Sequence, residues 1–135
     1  MVAEERVPIR SDADIIVARQ KGRELARQLG FSSTDLVLIT TAISELARNI
    51  VLYAHSGEMI LGTTNGTNGA SVGMVVTAQD EGPGIADTDL AMQSGFSTSG
   101  SLGLGLPGVR RLMDEVDLRS QVGVGTTVVA KKWKR

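Results

Sequence analysis

The chain contains no cysteine. Disulfides, thiolate nucleophiles, cysteine-ligated zinc and iron–sulfur clusters are therefore excluded together. It has one histidine, His55, so no multi-histidine metal site can form and at most one imidazole is available for acid–base work. Aromatic residues make up only 3%, which leaves Ile, Val, Leu and Met to build the core. There is no excess of positive charge: the formal net charge is −1 and Lys and Arg form no basic stripe, which speaks against nucleic-acid binding by phosphate neutralisation. The basic end, Lys131, Lys132, Lys134 and Arg135, reads as a solvated terminus. No apolar run reaches the roughly 18 residues of a membrane span, and Met1 to Arg10 lacks the apolar centre of a signal peptide. The expectation is a cytoplasmic protein with no membrane and no nucleic-acid partner.

What is present suffices for one packed domain. The chain has 135 residues, 41% hydrophobic and 21% charged, a composition unlike that of disordered chains. Glycine is over-represented: 16 of 135 is about 12%, against a usual value of about 7%. Much of the excess falls in residues 82–125, where function is expected.

Val2–Ile9 reads as a first strand, and Pro8 places it at an edge. Ser11 or Asp12 caps a helix in which Ile15, Ala18, Gly22, Leu25, Ala26 and Leu29 recur at helical spacing, with Gly30 as the stop. Ser32 or Ser33 caps a second, long helix reaching about Ala54, with Leu36, Ile39, Ile43, Leu46, Ala47 and Ile50 on its main apolar face. The period then changes to two. Met59–Thr64 and Ser71–Gln79 read as a hairpin around Asn65-Gly66 and Asn68-Gly69. Residues 85–101 are polar and rich in Gly and Ser, with a short helix near Thr88–Gln93. Leu104–Glu115 reads as a helix, and Val116–Val122 with Thr126–Trp133 as a closing hairpin. Strands joined by hairpins, with helices that must cover one face, predict an α/β (α+β) two-layer sandwich: a mixed, mainly antiparallel sheet with helices on one side, in a single domain over 1–135.

Three groups of residues carry chemistry. In the long helix, Glu45 and Asn49 are four apart and lie one above the other, with Asn49 between Leu38 and Ala42 on a second apolar side. Two readings fit: a structural amide with Glu45 in a surface ion pair, or an amide oxygen on a metal with Glu45 as a general base. Asp80-Glu-Gly-Pro-Gly84 closes a strand, as a simple turn or as a carboxylate at a sheet end with glycines that let a ligand approach. Gly100-Ser-Leu-Gly-Leu-Gly-Leu-Pro-Gly108 leads into a helix and suits an anion. Gly103, Gly105 and Gly108 have dinucleotide spacing, but no strand precedes them and no βαβ unit follows. There is no Walker A sequence, and the protein-kinase motif set is missing. No lysine lies near these groups, so a bound triphosphate would need a divalent ion, backbone N–H groups and Arg48.

In this order, the Asn-bearing helix, the Asp-x-Gly-x-Gly strand end, the Gly-Leu-Gly-Leu loop and the terminal Gly-Thr hairpin resemble the GHKL ATP-binding module of histidine kinases, type II topoisomerases, heat-shock chaperones and mismatch-repair ATPases. The resemblance spans about Ser33 to Val129 and implies the Bergerat-type fold, ATP and Mg²⁺. It implies that Asn49 holds Mg²⁺, that Asp80 accepts from the adenine amine, and that Gly82 and Gly84 shape the adenine pocket. It further implies that Gly103, Leu104, Gly105 and Leu106 offer backbone donors to the phosphates, that Thr126 or Thr127 joins Asp80, and that residues 86–101 form a lid. His55 follows the Asn49 helix too closely to be a phospho-accepting histidine and reads as a capping or surface residue.

The length excludes the members that need further domains. What remains resembles the stand-alone bacterial serine kinases of partner-switching pathways, which phosphorylate Ser or Thr of STAS-domain proteins with Glu45 in the position of the base. The Arg48-Asn49 pair and the Pro107-Gly-Val-Arg-Arg111 run look closest to the RsbT-type stressosome switch kinases, which also activate a phosphatase. The alternatives are an anti-sigma factor kinase that sequesters a sigma factor, and a non-catalytic ATP-sensing module.

Overall fold

The structure, a computed structural model, describes residues 4–66, 71–82 and 106–134. Strand β1 is Glu5–Ile9, helix α1 is Asp12–Gln28 and helix α2 is Ser33–Asn49. A π-helical turn, Ile50–Ala54, continues α2. Strands β2 (Gly57–Asn65) and β3 (Val72–Asp80) follow, then helix α3 (Leu106–Leu112) and strands β4 (Glu115–Gln121) and β5 (Gly125–Trp133). The sheet order is β1-β2-β3-β5-β4. The expected sheet was mixed; all its pairings among the described residues are antiparallel.

Local signals explain the boundaries. Ser32 accepts a hydrogen bond from the Asp35 N–H at 3.2 Å and so caps α2, satisfying one of the donors orphaned at a helix start. Helix α1 stops at Gly30, whose φ is +87°. There Gly30 N–H donates to Arg27 and Phe31 N–H to Ala26, the paired bonds of a Schellman ending. The π turn is a difference from the expected continuous helix: it re-aims the chain after Asn49. His55 ends it at φ +69° and is exposed, in keeping with a capping or surface role.

The helices cover one face of the sheet. Val7 and Ile9, Met59 and Leu61, Met74, Val76 and Ala78, then Val128 and Ala130 alternate into the core. They meet Ile39, Ala42, Ile43, Leu46 and Ala47 of α2 and Ala18, Leu25 and Ala26 of α1. Burying a side chain such as Ile43 or Leu46 contributes about 1.5–3 kcal/mol. Contrary to expectation, the 22-residue stretch Ser33–Ala54 is long and apolar enough to cross a membrane by length and composition. Its apolar face is taken up by the core.

Two expectations change at the C-terminal end. Helix α3 ends at Leu112, before the expected Glu115. The Asp114 N–H donates to Lys131 carbonyl at 2.9 Å and the Asp114 carboxylate accepts from the Trp133 N–H at 2.7 Å, so the chain is drawn into the sheet instead of continuing as helix. The basic end is not wholly solvated. Lys132 is 6% exposed; its Nζ donates to the Leu112 carbonyl at 2.8 Å and lies 3.8 Å from Asp114 Oδ1. It caps the C-terminus of α3 from below, the end at which a cation is favoured. The predicted short helix 88–93 and the turn glycine Gly69 lie outside the described residues.

Candidate nucleotide and phosphotransfer site

Helix α2 presents Glu45 and Asn49 one turn apart. The Glu45 side chain is only 13% exposed, and its Oε1 accepts from Arg48 Nη1 at 2.9 Å. The expected ion pair therefore exists, but it holds a largely buried carboxylate from one side and leaves Oε2 without a partner among the described residues. The half-buried Asn49 amide likewise makes no hydrogen bond among them. Arg48, expected to be available for phosphate charge, is engaged by Glu45.

Asp80 ends β3. Its Oδ1 accepts from the Gly82 N–H at 2.9 Å, so the carboxylate is locked by its own turn and its other oxygen stays available. Three glycines close in around it. A Cβ on Gly82 would stand 2.6 Å from Ala54 Cβ, one on Gly57 would stand 2.5 Å from the Gln79 carbonyl oxygen and 3.0 Å from Asp80 Cβ, and one on Gly125 would overlap the Asp80 carbonyl. Gly82 was legible as part of the motif. Gly57 and Gly125 were missed as site residues, because only the register reveals that both flank Asp80 across strands.

Register also separates the two threonines. Thr126 pairs with Asp80, and Thr127 with Gln79. Successive residues of a strand point to opposite faces, so Thr126 lies on the helix side with Asp80, while Thr127 lies on the open face with Gln79 and Arg119. The Thr126 hydroxyl is 2.8 Å from the Ser120 hydroxyl, a β4 contact that no sequence motif announced.

The two half-sites are joined by close packing. Gly82 meets Ala54 of the π turn, and Gly57 meets Ile50. The end of the Asn49 helix and the turn of Asp80 are therefore packed directly against each other. Helix α3 packs on α2 with Leu106 buried at its start. The predicted binding residues Gly84, Gly103, Leu104 and Gly105, and the lid 86–101, lie outside the described residues. A cleft of about 760 Å³ opens at the same strand ends: Asp80, Gly57, Gly125 and Thr126 line it together with Gln79, Thr127 and Arg119, while Glu45 and Asn49 do not.

Comparison with known proteins places the chain in a family. Residues 10–132 match the histidine kinase-like ATPase domain family. The chain is 52% identical over 129 residues to the serine/threonine-protein kinase RsbT of Bacillus subtilis, covering 96% of each chain. It is 35% identical over 113 residues to the anti-sigma F factor of Geobacillus stearothermophilus, covering 78% of this chain and 74% of that protein. Among solved structures it resembles the RsbU and RsbW domains of Rv1364c from Mycobacterium tuberculosis, with a TM-score of 0.65 at 18% identity, over 99% of this chain and 33% of that one. It also resembles a chain of the SiaB–SiaC complex from Pseudomonas aeruginosa, with a TM-score of 0.59 at 15% identity, over 98% of this chain and 89% of that one. The last two likenesses concern the fold.

Proposed function

The chain belongs to the histidine kinase-like ATPase family and is a protein serine/threonine kinase, and from that premise we propose that it transfers the ATP γ-phosphate to a Ser or Thr hydroxyl of a STAS-domain protein. The substrates on this reading are the antagonist and scaffold proteins of a bacterial stressosome. The kinase, one ATP-binding unit acting in the cytoplasm, then binds and activates a downstream phosphatase.

The observation that carries the reading is the Glu45–Asn49 pair: a largely buried carboxylate held at one oxygen by Arg48, one helical turn from an amide without a partner among the described residues. Glu45 Oε2 takes the proton of the substrate hydroxyl while its oxygen attacks the γ-phosphorus and ADP departs. Phosphoryl transfer asks the protein chiefly for positioning and charge stabilisation. Arg48 fixes the rotamer of Glu45, and Asp80 with Thr126 orients the adenine, Asp80 accepting from its exocyclic amine. Gly82 keeps that pocket narrow, and the segment 103–106 offers backbone N–H groups to the phosphates.

Mg²⁺ fits the donors present. The Asn49 amide oxygen is a hard ligand, and among the described residues no cluster of carboxylates or imidazoles forms a protein-only cage. An ion that draws its remaining ligands from phosphates and water matches that chemistry. When bound, it neutralises phosphate charge.

The test is phosphate transfer from labelled ATP with Mg²⁺ to purified STAS-domain partners. Transfer to Ser or Thr is expected. ATP binding without transfer to any partner would favour a nucleotide-sensing module instead. The anti-sigma reading draws on the 35% relative, against 52% for the kinase RsbT. Co-purification separates them: a phosphatase regulator is expected, and a sigma factor would reverse the assignment.

A further inference from the structure

Three strands bring three polar residues into one row. Asp80 of β3 pairs with Thr126 of β5, and Thr126 pairs with Ser120 of β4, so all three belong to the helix side of the sheet end. Together with Gly125 they line the cleft there. Ser120 breaks the pattern of its strand. The inward positions of β4 before it are Val116 and Leu118, which pack against the core, and an apolar residue at 120 would extend that stripe. A half-buried hydroxyl stands there instead, beside Thr126.

The bonds of Ser120 have a direction. A hydroxyl has one proton to give and two lone pairs with which to accept. The Ser120 hydroxyl donates to the Gly125 carbonyl at 3.1 Å, a group that can only accept. It also lies 2.8 Å from the Thr126 hydroxyl, the usual length of a hydrogen bond between two oxygens. With the Ser120 proton on Gly125, the second bond is made with the Thr126 proton, and Thr126 donates to Ser120. What Thr126 then presents to the cleft is lone pairs. The Asp80 carboxylate opposite, whose Oδ1 accepts from the Gly82 N–H, likewise only accepts when ionised. Directly opposed residues have Cβ atoms about 5 Å apart. Two acceptors so placed suit a group with two N–H donors, such as the exocyclic amine of adenine, and repel a carbonyl oxygen in the same position. A Thr126 hydroxyl free to turn would donate to that oxygen and tolerate it.

Given the adenine assignment of Asp80 and Thr126, on which this rests, we propose that Ser120 is a positioning residue for nucleobase selection: it takes up the Thr126 proton and so fixes the Thr126 hydroxyl as an acceptor, matched to an amino purine and opposed to an oxo purine. Ser120 acts through Thr126. A purine carbonyl set against two fixed acceptors leaves the polar groups of the site unpaired, which is how a hydrogen-bonding site rejects the wrong ligand.

Titration calorimetry with ATP and with inosine triphosphate, which carries a carbonyl where adenine carries its amine, tests it. The native chain is expected to prefer ATP. Ser120→Ala frees the Thr126 hydroxyl to turn and is expected to narrow that preference by about 3–10-fold, weakening ATP and not inosine triphosphate. Ser120→Thr keeps a hydroxyl and restores the native preference. Thr126→Val removes an acceptor and no donor, so it weakens ATP and leaves inosine triphosphate unchanged or tighter; in that background Ser120→Ala narrows the preference no further. Circular dichroism verifies that the variants fold, and the Thr126→Val comparison tests the direction of the bond even if Ser120→Ala does not fold. A Ser120→Ala chain that keeps the native preference or loses both nucleotides equally would overturn the proposal, as would a Thr126→Val chain that loses both equally. A native chain that binds no ATP would overturn the adenine assignment itself, and the role of Ser120 with it.

Discussion

Asp80 and Thr126 stand directly opposite each other on β3 and β5, and the Thr126 hydroxyl is tied at 2.8 Å to Ser120 of the next strand. A carboxylate fixed by its own turn and a hydroxyl fixed by a neighbour thus share the helix side of the sheet end. Thr127, its neighbour in sequence, shares the other face with Gln79. Thr126→Val is therefore expected to weaken ATP binding by about 3–10-fold, the value of one hydrogen bond, whereas Thr127→Val leaves it unchanged. Titration calorimetry with the nucleotide measures both. Equal losses would place the adenine on neither threonine in particular.

Glu45 is predicted to act on transfer and not on affinity. Glu45→Gln removes the proton acceptor while keeping the shape, and the expected result is unchanged ATP binding with phosphotransfer reduced by about 10²–10⁴-fold. Arg48→Ala frees the carboxylate to rotate and is expected to lower turnover by roughly tenfold with little change in stability, since Arg48 is 47% exposed and exposed pairs contribute little. A variant of Glu45 that transfers phosphate normally would remove it from the base position.

Asn49 is predicted to act through the cation. Asn49→Ala is expected to weaken ATP binding by about tenfold or more in Mg²⁺, with a much smaller loss in the presence of a chelator. Equal losses under both conditions would show that the amide serves the fold alone.

Gly125 and Gly123 separate two costs of adding a side chain. Both have positive φ, +146° and +81°, but a Cβ on Gly123 meets nothing within 4 Å while one on Gly125 overlaps the Asp80 carbonyl. Gly123→Ala carries only backbone strain, about 1–2 kcal/mol. Gly125→Ala adds a clash with backbone that cannot swing aside, so a loss of about 3 kcal/mol or more is expected, with weakened ATP binding because Asp80 is displaced. Denaturant melts compare the two.

Asp114 and Lys132 are predicted to be unequal partners. Lys132→Met keeps the volume and gives up the bond to the Leu112 carbonyl, for a loss of about 1–2 kcal/mol. Asp114→Ala leaves the Trp133 N–H without its acceptor and the buried Lys132 ammonium without its counter-charge, for about 3 kcal/mol. Thermal unfolding of the two variants checks the order; a larger loss for Lys132→Met would contradict it.

These contrasts mark what could be read from the chain alone. Period and composition fixed the helices and the β2–β3 hairpin, because an amphipathic repeat has one way to hide its apolar side. Gly30 announced its own stop, since its left-handed backbone is costly for other residues. Glu45, Asn49 and Asp80 were legible because a helix turn and a strand end are local geometries. The choice between Thr126 and Thr127 was not, because a shift of one residue reverses every side chain of a strand, and β3 fixes which way β5 is set. Nor were Gly57 and Gly125, whose importance lies in the Asp80 they touch from other strands, or the burial of Lys132, which only the carbonyl end of α3 explains. The sequence by itself determined which elements form and which residues are candidates for the chemistry, through interactions a few residues apart. The tertiary structure decided which of those residues face one another, because strand register and helix docking depend on the whole core closing at once.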